Sequence, residues 1–256
     1  MPIGEYLEIE ARRRARENWS FFQRFPECFA YPFTHGGVWL LIIGTVLLAF
    51  LDAVAWVARL APGYGPLALM ILTVATYGYL FVYMQRIVTA TAYGEERVPD
   101  WPEFSEWWDD IVRPFLMLIF TIAFCFGFPL GYMIYVGARE EPSIPVLMSL
   151  IALGFLYFPM ALLAVAMSDN FFALNPFVVF PAILKTRFEY IVACAAFFVV
   201  AGVYYLSKVV LYRLIPVPIV PAVVGGFCFL YFLTVNMRLL GIMYYTNRNR
   251  LGWYRK

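Results

Sequence analysis

The chain has 256 residues, 63% of them hydrophobic and only 14% charged, with a mean hydropathy of +0.74. A soluble domain holds about 45–50% apolar and about 25% charged residues, so this composition excludes an ordinary water-soluble globule and requires lipid as solvent. A formal net charge of +2 without a basic domain argues against nucleic acid as a partner. The four cysteines (Cys28, Cys125, Cys194 and Cys228) are scattered singly, in neither a zinc nor a disulfide pattern.

In chain order, residues 1–35 read as a cytoplasmic amphipathic segment. Ile3, Leu7, Ala11, Ala15, Trp19 and Phe22 form one stripe over 3–25, and Glu8→Arg12 and Glu10→Arg14 are favourable i,i+4 pairs on the wet face. The first long apolar run starts near Gly36, too late and too long for a signal peptide, and is read as a retained span. His35, the one histidine, stands at its wet boundary with no partner for acid–base work nearby in sequence.

Crossing a bilayer takes about 20 apolar residues rising about 1.5 Å each. Six segments qualify: 37–60, 65–91, 114–137, 145–167, 188–211 and 219–245. The fold class that follows is all-α, a polytopic transmembrane bundle of about six spans occupying 36–245, with amphipathic helices on its cytoplasmic side. Loops 92–113 and 168–187 lie on that side, and 246–256 reads as a basic tail.

Span one carries Asp52, about 15 residues in. A carboxylate near a helix centre costs about 2.5–3.5 kcal/mol unless paired or hydrated. Two readings follow: a structural pair with Lys208, Arg213 or Arg59, or an ion- or proton-linked site.

After span two, residues 100–113 place Phe104, Trp107, Trp108 and Ile111 at helical spacing. Asp100 and Glu103 resemble a capping box, and Pro102 suits a first turn. Residues 95–113 hold seven acids (Glu95, Glu96, Asp100, Glu103, Glu106, Asp109 and Asp110) against Arg97 and Arg113, a net of −5. Interfacial helices ordinarily wear Lys and Arg against an anionic leaflet, so this segment is expected to face something positive. That is either Arg12, Arg13, Arg14 and Arg16 of the same chain or a basic partner protein with the tryptophans as anchors.

Pro129 and Pro159 are expected to kink spans three and four. Asn175-Pro176 opens a third interfacial helix over 175–187 as cap and first residue. In span six, Asn236 and Arg238 occupy the inner half. Arg238 there either snorkels to the headgroups or coordinates a substrate. Tryptophans at 19, 101, 107, 108 and 253 fit an interfacial belt, and no cofactor is implied, haem in particular lacking axial histidine pairs.

Orientation follows Lys and Arg placement. With the N-terminus cytoplasmic, the inner side holds Arg12, Arg13, Arg14, Arg16, Arg24, Arg86, Arg97, Arg113, Lys185, Arg187, Arg238, Arg248, Arg250, Arg255 and Lys256. The outer side keeps Arg59, Arg139, Lys208 and Arg213. Both termini are expected in the cytoplasm. A parallel internal repeat is also suggested, pairing Pro26–Pro32 before span one with Pro176–Pro181 before span five.

The run Gly94-Glu95-Glu96-Arg97-Val98-Pro99-Asp100-Trp101-Pro102-Glu103-Phe104, with Trp107-Trp108-Asp109-Asp110, resembles a loop of uncharacterised bacterial membrane families. So does Ala173-Leu174-Asn175-Pro176 with Ile183, Lys185 and Tyr190. These families are of the domain-of-unknown-function type, loosely akin to membrane domains fused to some glycerophosphodiester phosphodiesterases. The resemblance implies a helical bundle in a bacterial inner membrane and brings no activity or catalytic residues.

No HExxH, CxxC, P-loop or GxSxG motif is present. Three functions remain in view. The first is a non-catalytic subunit or scaffold of an inner-membrane assembly, with membrane lipids and a membrane-protein partner or second copy as its contacts. The second is a transporter, channel or lipid-handling protein using Asp52 and Arg238. The third, an intramembrane enzyme, lacks converging titratable groups.

Overall fold

The structure, a computed structural model, describes residues 20–58, 65–100, 106–137, 143–214 and 219–253. Among these residues every regular element is helical. Short α1 (Phe21–Ala30) and a 3₁₀ turn (Tyr31–Phe33) lead into the long helices α2 (His35–Ala58) and α3 (Gly65–Ala92). A π-helical turn (Trp108–Val112) runs straight into α4 (Arg113–Gly137), followed by α5 (Ile144–Ser168). A 3₁₀ turn (Phe171–Leu174) and short α6 (Pro176–Lys185) precede α7 (Arg187–Leu214) and α8 (Ile219–Leu251).

Five helical stretches are long and apolar enough to cross a membrane: Gly36–Ala55, Gly65–Ala92, Trp108–Gly137, Ile144–Ser168 and Val220–Leu251. The chain is therefore a multi-pass, all-α membrane protein. Helix α7, 28 residues long, stands where the fifth of six spans is expected and is about 42 Å in length at helical rise.

Helix α8 is the hub of the bundle, packed against α1, α2, α3 and α7, while α4 pairs with α5 and joins the rest through α3. Lipid gives little driving force for helices to associate, so close packing has to come from small residues that let backbones meet. Gly241 is the sharpest case. A Cβ built there would lie 2.4 Å from Thr91 Cβ and 2.9 Å from the Val88 carbonyl oxygen, so α3 and α8 touch backbone to side chain. Gly78 does the same for α3 against the Ile111 carbonyl, and Gly154 for α5 against that of Cys125. Gly241→Ala is expected to destabilise by about 1–3 kcal/mol through overpacking, read as a lowered thermal midpoint in detergent. An unchanged midpoint would show that the α3–α8 seam is looser than its geometry.

The interfacial pieces share one end of the bundle and one order: a short segment, then two long helices, three times over. The repeat expected from Pro26–Pro32 and Pro176–Pro181 has a different register. Pro26 and Pro181 occupy the sixth position of equal ten-residue helices, with Phe22 and Phe177 second and Phe25 and Phe180 fifth. As expected, Asn175 caps α6, its side chain accepting from Phe177 N at 2.9 Å with Pro176 at the first position.

Three expectations change. Of the 3–25 segment only residues 20–25 are described, and there a helix starts at Phe21, capped by an extended Ser20, and runs to Ala30, docking on α8 and burying Phe21, Arg24 and Cys28. Of the 100–113 segment, residues 101–105, Glu103 and Phe104 among them, lie outside the described residues, and Trp107–Val112 run into α4 without a break. Helix α8 runs to Leu251, well past residue 245, because Asn247 and Leu251 turn inward and Lys185 Nζ donates to the Leu251 carbonyl at 3.3 Å.

Candidate functional site

The polar groups of α8 define the site. Successive residues two apart on an α-helix face nearly opposite ways, so Asn236 and Arg238 look to different neighbours.

Arg238 is 5% exposed. Its Nη1 donates to Thr91 Oγ1 at 2.9 Å and to the Glu95 carbonyl at 2.6 Å, and its guanidinium lies 4.4 Å over the Tyr31 ring. The side chain therefore does not snorkel: its planar donors turn sideways, into α3 and the loop after it, where carbonyl and aromatic partners replace water.

The same loop is held at further points. Tyr31 OH donates to the Arg97 carbonyl at 3.4 Å and Tyr83 OH to that of Pro99 at 3.0 Å. Gly94 has φ +88°, and a Cβ there would meet Tyr245 Cε2 at 2.7 Å, so only glycine fits both the backbone and the ring above it. Arg24 of α1 lies 4.7 Å over that Tyr245 ring. Residues 93–100 thus form a lid strapped across the charged end of α2, α3 and α8.

Burial pushes the Tyr31 phenol up to about 12, and the Cys28 thiol likewise to about 12. Tyr31 accordingly serves as a neutral donor and ring, and Cys28 as a packed, unreactive thiol.

A second polar knot sits in α5. Pro159 supplies no N–H to the helix, and the fully buried Tyr190 brings its hydroxyl to that point. It donates to the Leu156 carbonyl and accepts from Met160 N at 3.3 Å. This sews α7 to the kink of α5.

Asn236 is 4% exposed and turns to the other side of α8, where it lines a cavity of about 270 Å³ between α5, α7 and α8. A wider apolar hollow of about 550 Å³ lies between α4, α5 and α6, lined by Phe124, Phe128, Tyr157 and Phe180 among others. At the charged end a polar cleft of about 640 Å³ runs from Ser20 and Tyr93 to Glu189 and the 245–250 turn of α8, with Arg250 and Glu189 3.8 Å apart.

The four intramembrane polar candidates are not brought together. Asp52 is exposed on the outward side of α2, and no charged partner reaches it among the described residues. Arg59 and the side chain of Lys208 fall outside them, and Arg213 makes no ion pair within them.

The docking candidates also divide. Trp107 and Trp108 are exposed, whereas Ile111 is buried against α3, so the stripe is split by the π-helical winding. Part of the acidic charge is answered locally: Asp109 pairs with Arg113 at 3.8 Å, Asp110 accepts from Glu106 N at 2.8 Å, and Arg113 reaches Asp169 at 2.9 Å. Arg12 to Arg16 lie outside the described residues.

Among the described residues no cluster of metal-ligating groups occurs. No family model, curated protein or solved structure matches the chain.

Proposed function

We propose that this chain is a non-catalytic integral subunit, or scaffold, of an assembly in a bacterial inner membrane. Asp52 carries the reading. It lies within the apolar stretch Gly36–Ala55, three residues from its end, and faces away from the bundle. A carboxylate presented to hydrocarbon is costly, and a neighbouring subunit offering a cation or hydrogen-bond donor would remove that cost. Asp52 and Arg238 sit toward opposite ends of the bundle, on different helices, which favours a scaffold over a substrate site shared by both. The exposed Trp107 and Trp108 add an aromatic docking element at the charged end.

The charged end carries Arg24, Arg86, Arg97, Arg113, Lys185, Arg187, Arg238, Arg248 and Arg250, against Lys208 and Arg213 toward the other end among the described residues. That asymmetry supports a cytoplasmic placement of the charged end and of both termini.

The test compares Asp52→Leu with the unaltered chain after mild-detergent extraction and size analysis. The expected result is that the assembly falls apart while the freed chain keeps its thermal midpoint. An unchanged assembly with Asp52→Leu would remove the support that Asp52 gives.

A further inference from the structure

The cavity beside Asn236 asks for an occupant. Six phenylalanines line it (Phe155, Phe158, Phe197, Phe198, Phe229 and Phe232), and its one side-chain amide belongs to Asn236. That amide is almost wholly buried, and its Oδ1 has no hydrogen-bond partner among the described residues. Pro159, also in the wall, gives no N–H to the Phe155 carbonyl. Buried polar groups in proteins are nearly always hydrogen-bonded, and an exception needs an explanation. Water is a poor one here, because a cavity walled by aromatic carbon stays dry unless two to four polar partners converge on the water.

We infer that this cavity binds a lipid-soluble alcohol: an apolar chain seated among the phenylalanines, its single hydroxyl on the Asn236 amide. A hydroxyl donates and accepts at once, so it meets the amide whichever way the amide is turned. An ester or ketone would leave the acceptor unmet, and an ammonium would bring a charge into an aromatic wall. The volume of about 270 Å³ suits one end of such a chain, not a whole phospholipid. Entry is from the bilayer. Phe155 and Phe198 meet at a tilt, ring centroids 5.2 Å apart, and are 41% and 47% exposed, placing the mouth on the lipid-facing surface between α5 and α7. Neither Asp52 nor Arg238 takes part, so this site stands apart from the scaffold reading.

The experiment uses the full chain in phosphatidylcholine nanodiscs and two photoreactive probes, a diazirine-bearing medium-chain alkanol and the same alkane without its hydroxyl. The alkanol should label the 155–159, 194–198 and 229–236 peptides about ten-fold more than the alkane, as one buried hydrogen bond implies. Asn236→Leu, which replaces an unpaired amide by alkyl of similar size, should fold at least as stably and erase the preference. Leu233→Trp, which fills the cavity with Asn236 intact, should abolish labelling by both probes and decides the matter if Asn236→Leu fails to fold. Equal labelling by the two probes, a preference that survives Asn236→Leu, or full labelling in Leu233→Trp would overturn the inference.

Discussion

Arg238→Met is expected to destabilise the chain by about 3 kcal/mol and to free the 93–100 lid. The substitution keeps a long side chain but leaves the Glu95 carbonyl without its donor, about 1–3 kcal/mol for a buried acceptor. It also removes the stacking on Tyr31, worth about 1–2 kcal/mol when desolvated. Relief of burying the cation offsets part of this. Arg238→Lys should recover little, since one ammonium cannot span Thr91 and Glu95 while lying flat on the ring. The checks are thermal unfolding in detergent and limited proteolysis near Glu95-Glu96-Arg97. A lid as resistant in Arg238→Met as in the unaltered chain would mean that the strap is held elsewhere.

Tyr190→Ala carries an effect of similar or greater size. Truncating a fully buried aromatic costs about 3–5 kcal/mol through lost contacts and the cavity left behind. Here it also strips the Pro159 kink of the hydroxyl that serves Leu156 and Met160. Tyr190→Phe separates the two contributions: it keeps the ring and should cost only about 1–2 kcal/mol, the hydrogen-bonding share. Equal losses in the two variants would place the whole effect in the hydroxyl, and no loss in either would show that α7 does not depend on this seam.

The spans were legible because hydropathy reports directly on what lipid tolerates. Helices α3, α4 and α5 begin and end within a residue of the expected 65–91, 114–137 and 145–167. The Asn175-Pro176 start was equally readable, since its cap and fixed φ are local. Arg238 was not. Depth along a helix says only that an arginine could snorkel. Its true partners lie 147 and 143 residues away in sequence and appear only once α3 and α8 are packed. The same holds for Tyr190, whose hydroxyl answers a proline thirty-one residues earlier. The π-helical turn escaped the periodicity because Trp107, Trp108 and Ile111 fit a 3.6-residue stripe as written. The wider winding that buries Ile111 and exposes both tryptophans is set by packing against Gly78. Asp52 was visible as an anomaly, but the direction it faces was not, because that depends on which side of α2 the other helices cover.

The proposed six crossings, with the strapped, charged end in the cytoplasm, are tested most directly by dual-reporter fusions, one enzyme active only outside the membrane and one fluorophore mature only inside. Fusions after Glu96, Lys185 and Lys256 are predicted to report inside, where α1, the 93–100 lid and α6 lie together. Fusions after Gly65, Glu141 and Pro216 are predicted to report outside. Reversal at Pro216 and Lys256 alone would remove the crossing by α7 and contradict six spans, and reversal of all six would put the basic end outside.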